Sequence, residues 1–514
     1  MPLPTSSTTA RAVVATPHHL ASEAGRAVLA SGGNAVDAAV AANLALGIVT
    51  PYCAGPGGDL FAIVWDGRAH GYLGAGRAAR GVTRDELAVE YRHMPFFGPH
   101  SVTVPGAVDG WFTLLERWGT RSFGELAAAA IALADDGFTV SAHAAPEFVN
   151  SRAWFRDYEP WTAQYGDIDA DTRFRQPASA RTLRALADDG PDAFYRGPIG
   201  ASVAESVQAA GGHLAADDLA AHAGEWCDPY SARFRDLDIL ELPPPTQGAT
   251  VLEALRILDG CAIPDELVAR THLQIEIVKA ALADRDAWIS DPDHMPVPAT
   301  ALFADEYVAE RRAAIDLDRA ADPAPGHPQR GGTAYLCAAD ADGLMISLIQ
   351  SNFAGFGSGV FVPEWGINLH NRGGSFSLDP DRVNAFAPGK RPLHTLIPAF
   401  ALRDGAPAIV FGTMGGDAQA QVHVQLLSHL VDDGCAPGEA LERARWRLDP
   451  YTWNLHMESR ADPALVADLA ARGHALREAP PWDSAMGHAH VIRIDGDRYV
   501  AASDPRSEGA ALGV

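Results

Sequence analysis

A chain of 514 residues, 47% hydrophobic and 20% charged, has ample material for a buried core and, on length alone, room for about three domains. The formal net charge of -25 argues against nucleic acid and anionic membranes as partners, because the phosphate interaction would be repulsive, and leaves a small molecule as the expected partner. The five cysteines (Cys53, Cys227, Cys261, Cys337 and Cys435) are scattered without a CxxC pair, which excludes a disulfide framework and reads as reduced thiols.

In chain order, the opening stretch MPLPTSSTTARAVVATPHHL lacks the charged and apolar regions of a secretory signal. No later window approaches the ~18 apolar residues of a membrane span, so a cytoplasmic protein is expected. Residues 12–15 form a short strand-like run. Two alanine-rich helices are predicted over 20–31 and 35–46, separated by the stop-and-cap signal Ser31-Gly32-Gly33-Asn34. The second is apolar almost all round and is expected to be buried, with Asp37 as a structural partner and not a catalyst. CAGPGGD at 53–59 lacks the following helix and the Lys or Ser/Thr of a phosphate loop and reads as a tight turn before a strand at 60–65.

GAGR at 74–77 and VTVPGAVDGW at 102–111 are further glycine-rich junctions. From 112 to 223 the pattern is mostly amphipathic helix, with loops around 157–174, and further helices begin at Thr250 and at His272. Residues 321–330 hold three prolines and no apolar periodicity, and form the one convincing linker. A hairpin follows, with strands at 334–339 and 344–350 around an Asp342-Gly343 turn. Further strands are predicted at 360–362, 367–370, 399–402, 408–411 and within 488–502, with helices at 419–431 and 463–472, the latter capped by Asp462 and started by Pro463. Strands on both sides of the linker, flanked by helices, predict an α/β (α+β) architecture of two stacked sheets with helical outer layers.

The hairpin begins with Gly331-Gly332-Thr333. Cleavage between Gly332 and Thr333 would leave a threonine at the head of a buried strand, with a hydroxyl nucleophile and its own α-amine as general base. That amine titrates near neutrality, at about 7.7–8.0 when unperturbed, so it accepts a proton at working pH. Gly415-Gly416, just before a predicted helix, suits an oxyanion hole, because backbone N–H groups point outward there.

These pieces occur in one order: GGNAVDAAVAANLALG from Gly32, the Thr333 segment, GKRPLHTLIP from Gly389, GTMGGDAQAQVHVQLL from Gly412 and GHAHVI from Gly487. In this the sequence resembles the γ-glutamyltransferase family of self-processing N-terminal-nucleophile hydrolases, and within it the amidohydrolase and acylase branch. The resemblance implies the αββα four-layer sandwich, one core shared by a large subunit (1–332) and a small subunit (333–514) that stay associated after self-cleavage, and a turn at 53–59 near the active site. It implies Thr333 as nucleophile, Ser351 as the hydroxyl bonded to it, and Gly415 and Gly416 as oxyanion donors. Where the transpeptidases carry a Gln and an Asp that grip the substrate α-ammonium, this chain reads Asn371-Arg372-Gly373-Gly374-Ser375. Where they carry a serine pair for the α-carboxylate it has His394-Thr395, and their arginine before the first long loop is displaced, with Arg77 the nearest candidate. Arg77, Arg372, His394 and Thr395 are therefore the expected substrate-binding residues, with an anionic acyl group favoured over a γ-glutamyl group. His488 and His490 would share a strand face, but without a carboxylate or Cys partner they are weak for metal, and neither metal nor organic cofactor is expected.

The first reading is a self-cleaving amidohydrolase acting on a small carboxylate-bearing amide. A γ-glutamyl hydrolase or transpeptidase differs by turning over γ-glutamyl amides. An unprocessed ligand-binding relative differs by remaining one chain of 54.4 kDa. Whether processed heterodimers assemble further is open at this stage.

Overall fold

The hairpin that starts at the Gly-Thr junction lies at the centre of a seven-stranded sheet. In the computed structural model, which describes residues 5–321, 332–450 and 452–514, its arms are Gly332–Ala339 and Met345–Phe353. Across this sheet the order is Ala510–Gly513, Val13–Thr16, the two hairpin arms, Asp59–Trp65, Ala69–Gly74 and Glu225–Cys227. A second seven-stranded sheet runs Ser6–Ala10, Arg498–Ser503, Ala489–Asp495, Ala406–Thr413, Ala399–Arg403, Leu237–Glu241 and Tyr230–Phe234. Neighbouring strands in both are antiparallel.

The period-two alternation of strand side chains explains the layering. Phe61, Ile63, Tyr335, Cys337 and Ile349 point between the sheets, where they meet Phe400, Val410 and Ile492. Their neighbours Leu60, Ala62, Leu336, Ile346 and Leu348 point the other way, into the apolar layer that includes helices Ala35–Val49 and Phe123–Asp136. Gly248–Asp259, Leu267–Trp288 and Ala418–Leu427 cover the opposite sheet. The result is a four-layer αββα sandwich, and each sheet mixes strands from both sides of Thr333.

Asp37 has a structural role. It completes a capping box with Asn34 and accepts bonds from the Thr120 amide, at 3.0 Å, and from the Thr120 hydroxyl. Asp462 caps the helix Pro463–Ala471, accepting from the Ala464 amide at 2.9 Å. Several expectations are corrected. The helix predicted to 431 is α only over Ala418–Leu427 and widens into a π-turn over Ser428–Asp432. The strands expected at 360–362 and 367–370 shrink to the two-residue pair Phe361–Val362 and Ile367–Asn368. Strands at Ser6–Ala10, at Ala510–Gly513 and between 225 and 241 were not predicted. Of the expected linker only Ala321 is among the described residues; the rest lies outside them. Among the described residues no helix is long and apolar enough to cross a membrane.

Candidate active site

Thr333 enters the sheet at a bulge, between the pairs Gly332–Phe353 and Ala334–Gln350. It is 2% exposed, and its hydroxyl lies 3.0 Å from that of Ser351 on the facing strand. Ser351 in turn accepts a bond from the Phe353 amide at 2.8 Å, and Phe353 takes up a positive φ of 75°. Such a conformation is unfavourable for a bulky side chain and marks a place where the surroundings over-determine the backbone. Burial pushes the Cys53 thiol far up, opposed by the backbone amide of Thr333.

The CAGPGGD turn is fixed to the same strand. The Gly55 amide donates to Gln350 Oε1 at 3.2 Å, the Gln350 amide donates back to the Gly55 carbonyl, and the Asn352 side chain donates to the carbonyls of Pro51 and Ala54. A Cβ on Gly57 would stand 2.0 Å from the Asn368 carbonyl, so only glycine allows the approach.

Gly415 and Gly416 join the strand Ala406–Thr413 to the helix Ala418–Leu427, with φ of 134° and 58°. Among the described residues, neither amide donates a hydrogen bond. The Gly416 carbonyl is held by the Gln247 side-chain amide at 3.2 Å, which also donates to the Thr395 carbonyl at 3.0 Å.

A cavity of about 750 Å³ opens beside these elements, walled in part by Phe353, Arg372, Thr395 and Asp417. Arg372 is 1% exposed; its guanidinium lies 3.8 Å over the Phe353 ring and donates through Nη2 to the Thr395 hydroxyl at 3.3 Å. Among the described residues its Nη1, which is buried, has no hydrogen-bond partner. Burial pulls this guanidinium down, opposed by Asp59 and Asp417. Of the three acids at the cavity, two are engaged by Arg285, which donates to Asp417 at 2.5 Å and to Asp286 at 2.8 Å, while the third, Asp379, is exposed and accepts from the Asp381 amide at 3.0 Å.

The structure brings Thr333 and Ser351 into contact and sets Arg372 and Thr395 on one cavity. It does not bring Arg77 there. Arg77 donates to the Gly389 carbonyl at 3.1 Å, pairs with Glu225 at 3.4 Å, and lines a separate pocket of about 250 Å³ with Arg80 and His222. His394 turns away from Thr395 and packs on the Phe61 ring with a centroid separation of 4.8 Å, burying both its nitrogens. Two buried residues that sequence reasoning passed over pair next to these elements: Asp59, at the end of the CAGPGGD turn and cross-strand from Ser351, and His370, two residues before Arg372. Their pairing at 3.2 Å joins distant segments, and the one trace of it in the sequence is a charged residue closing a glycine run.

Among the described residues one group has metal-ligand chemistry, His272, Glu276 and His474. Its donors are already engaged: the two rings are joined at 2.8 Å, and Glu276 pairs with Lys279 at 2.8 Å and accepts from the Ala321 amide at 2.8 Å. His490 stacks on Tyr335, while His488 meets the Ser484 hydroxyl at 2.9 Å.

The family model described as Gamma-glutamyltranspeptidase matches residues 21–514. The chain is 37% identical to the oxamate amidohydrolase proenzyme of Klebsiella pneumoniae, over 97% of each chain. It is 34% identical to the glutathione hydrolase-like YwrD proenzyme of Bacillus subtilis, over 98% of each. Its fold superposes on the cephalosporin acylase of Bacillus halodurans with a TM-score of 0.94 and 35% identity, covering 100% of this chain and 97% of that one. With the Thr333 hairpin, the paired hydroxyls and the four-layer sandwich in place, the chain belongs to the gamma-glutamyltranspeptidase family and is an enzyme of that family.

Proposed function

We propose that this enzyme is a self-cleaving amidohydrolase that hydrolyses a small amide bearing a carboxylate. In maturation the Thr333 hydroxyl attacks the Gly332 carbonyl, the peptide nitrogen leaves as an amine, and water hydrolyses the resulting ester. Two chains result, 1–332 and 333–514. In turnover the freed α-amine takes the proton of the Thr333 hydroxyl as it attacks the substrate amide, and returns it to the leaving amine. Ser351 holds the hydroxyl by its 3.0 Å contact. The unengaged amides of Gly415 and Gly416 receive the oxyanion, and water then releases the acyl group.

The observation that carries the substrate class is Arg372. A cation buried against an aromatic face, with one nitrogen that has no hydrogen-bond partner among the described residues, is stabilised by a ligand carboxylate. Two named relatives agree with an acylase or amidohydrolase activity: the Klebsiella oxamate amidohydrolase and an acylase ACY 1 of Pseudomonas, 31% identical over 98% of this chain. A γ-glutamyl substrate would need a buried acid for its ammonium; Asp286 and Asp417 are both committed to Arg285, and the remaining cavity acid, Asp379, is exposed to solvent.

The test compares Arg372→Lys with the parent on a carboxylated amide and on its methyl ester. Lys reproduces a bidentate arginine–carboxylate contact poorly, so about 1.5–3 kcal/mol should be lost on the acid and little on the ester. A variant that treats acid and ester as the parent does refutes the anionic-acyl reading. Arg77→Lys, on the separate pocket, is the control.

A further inference from the structure

Three glycine-rich motifs lie apart in the sequence and close on one carboxylate. GGD ends at Asp59, and Asp59 Oδ1 accepts from the amides of Gly76, in GAGR, at 3.4 Å and Gly106, in VPGAVDG, at 3.1 Å. A Cβ on Gly76 would stand 1.5 Å from the Val104 carbonyl oxygen, and one on Gly106 2.0 Å from that of Gly74. The glycines are required by this backbone approach.

The other oxygen, Oδ2, lies 3.2 Å from His370 Nδ1 and 3.6 Å from His394 Nε2. His370 is fully buried, and its Nε2 lies 2.8 Å from the Thr103 carbonyl and 3.3 Å from the Thr103 hydroxyl. A neutral imidazole has one donor and one acceptor nitrogen. Nε2 lies at hydrogen-bond distance from a peptide carbonyl, whereas Nδ1 meets the carboxylate at ion-pair distance without hydrogen-bond geometry; both neighbours are acceptors, so a proton on each nitrogen avoids setting lone pair against lone pair.

We propose that Asp59 and His370 form a buried carboxylate–imidazolium pair that positions the Arg372 guanidinium relative to the nucleophile. Asp59 is the cross-strand partner of Ser351, so it is registered to the hydroxyl that touches Thr333. His370 stands two residues before Arg372 on a turn held to the same region, its amide donating to the Gly57 carbonyl at 2.9 Å and the Asn371 amide to the Asn352 carbonyl at 3.2 Å. The pair therefore joins the strand of Ser351 to the turn of Arg372. Burial works against ionising Asp59, yet His370, His394 and Arg372 outweigh it and hold the carboxyl at about 2. Burial and Arg372 push His394 well below its ordinary range, so it faces the pair as a neutral ring. Removing the Asp59 charge would leave two cations buried together, an arrangement that costs far more than an exposed one.

The inference rests on reading Arg372 as the carboxylate ligand, and two measurements separate the two. Ring-nitrogen NMR of the full-length protein at neutral pH, with His370→Gln for assignment, should find both His370 nitrogens protonated, and this signature should vanish in Asp59→Asn. A singly protonated His370 overturns the pair, even if Arg372→Lys behaves as a lost clamp. Kinetically, Asp59→Asn should raise KM for the carboxylated amide by about tenfold or more, with a much smaller change for an uncharged isostere. Equal losses on both substrates would reduce Asp59 to a structural residue and overturn the positioning role. If Arg372→Lys spares acid selectivity while His370 is doubly protonated, the clamp reading fails and the pair has no anion-binding arginine to position. Should Asp59→Asn fail to fold, the NMR measurement on the parent still decides the protonation.

Discussion

Thr333 derives its expected reactivity from a few contacts that single substitutions can remove. Thr333→Ala keeps the strand and loses the hydroxyl, so it should remain one chain of 54.4 kDa without activity, where the parent yields a fragment whose N-terminal sequence begins at Thr333. Active enzyme without that fragment would sink the mechanism. Gly416 has a φ of 58°, and a bulkier residue there is strained and would displace the oxyanion donor proposed at this amide. Gly416→Val should lower kcat by about 10²–10³ with the fold largely retained, and near-normal turnover would mean that the donors lie elsewhere. At this scale the placement of the candidate residues was legible where it is local to the chain. Thr333 stands behind two glycines, and Gly415-Gly416 stands before a helix. Arg77 shows the limit: its GAGR turn is near the site, but the Gly76 backbone faces Asp59, whereas the Arg77 side chain leaves toward Gly389 and Glu225.

At the scale of elements, the glycine turns and the alanine-rich helices should respond in opposite directions. Gly76→Ala drives a Cβ to 1.5 Å from the Val104 carbonyl oxygen, which must push apart two backbones that together cradle Asp59. A loss of about 1–3 kcal/mol or more is expected in chemical denaturation, as for other overpacked sites. Gly124 lies inside the helix Phe123–Asp136, where an added Cβ meets only the Ala187 methyl at 3.5 Å. Gly124→Ala should therefore stabilise by about 0.5–1 kcal/mol, through helix propensity. Both substitutions acting with the same sign would contradict the close-approach account. The helices and the hairpin could be read because their apolar period is strong and their caps are explicit, as at Asn34 and Asp462. The edge strand Ser6–Ala10 could not, since SSTTA carries no large apolar residue and none of its five residues is fully buried; it exists because it pairs with Arg498–Ser503. Tertiary pairing of that kind leaves no local signal.

For the whole molecule the question is what would survive the proposed cleavage at Thr333. On the acid side, Asp59 and Asp504 are buried carboxylates held below their ordinary range, Asp504 between Arg445 and Arg506. A depressed folded-state value means stability that is present above the unfolded value of about 3.9 and lost as pH falls toward the folded one. The Tm of processed enzyme should therefore fall steeply below about pH 4, and Asp504→Asn should flatten that limb at the expense of stability near neutrality. Cleavage itself should cost little. In one sheet the strand Val13–Thr16 lies between Ala510–Gly513 and Gly332–Ala339, and in the other Ser6–Ala10 and Leu237–Glu241 flank four strands from beyond residue 333. The buried pairs Asp59–His370 and Arg285–Asp417 also cross between the two fragments. Separating them would expose the inter-sheet core and break strand pairing in both sheets at once. Processed protein should thus give two bands on a denaturing gel, one species in native size-exclusion chromatography, and a single cooperative transition followed by both tryptophan fluorescence and far-UV circular dichroism. Moderate salt should leave the species intact, because the contact is apolar and hydrogen-bonded more than it is a surface ion-pair network. Release of either fragment under native conditions, or two separate transitions, would show that the halves fold as independent units and that one shared core is the wrong description.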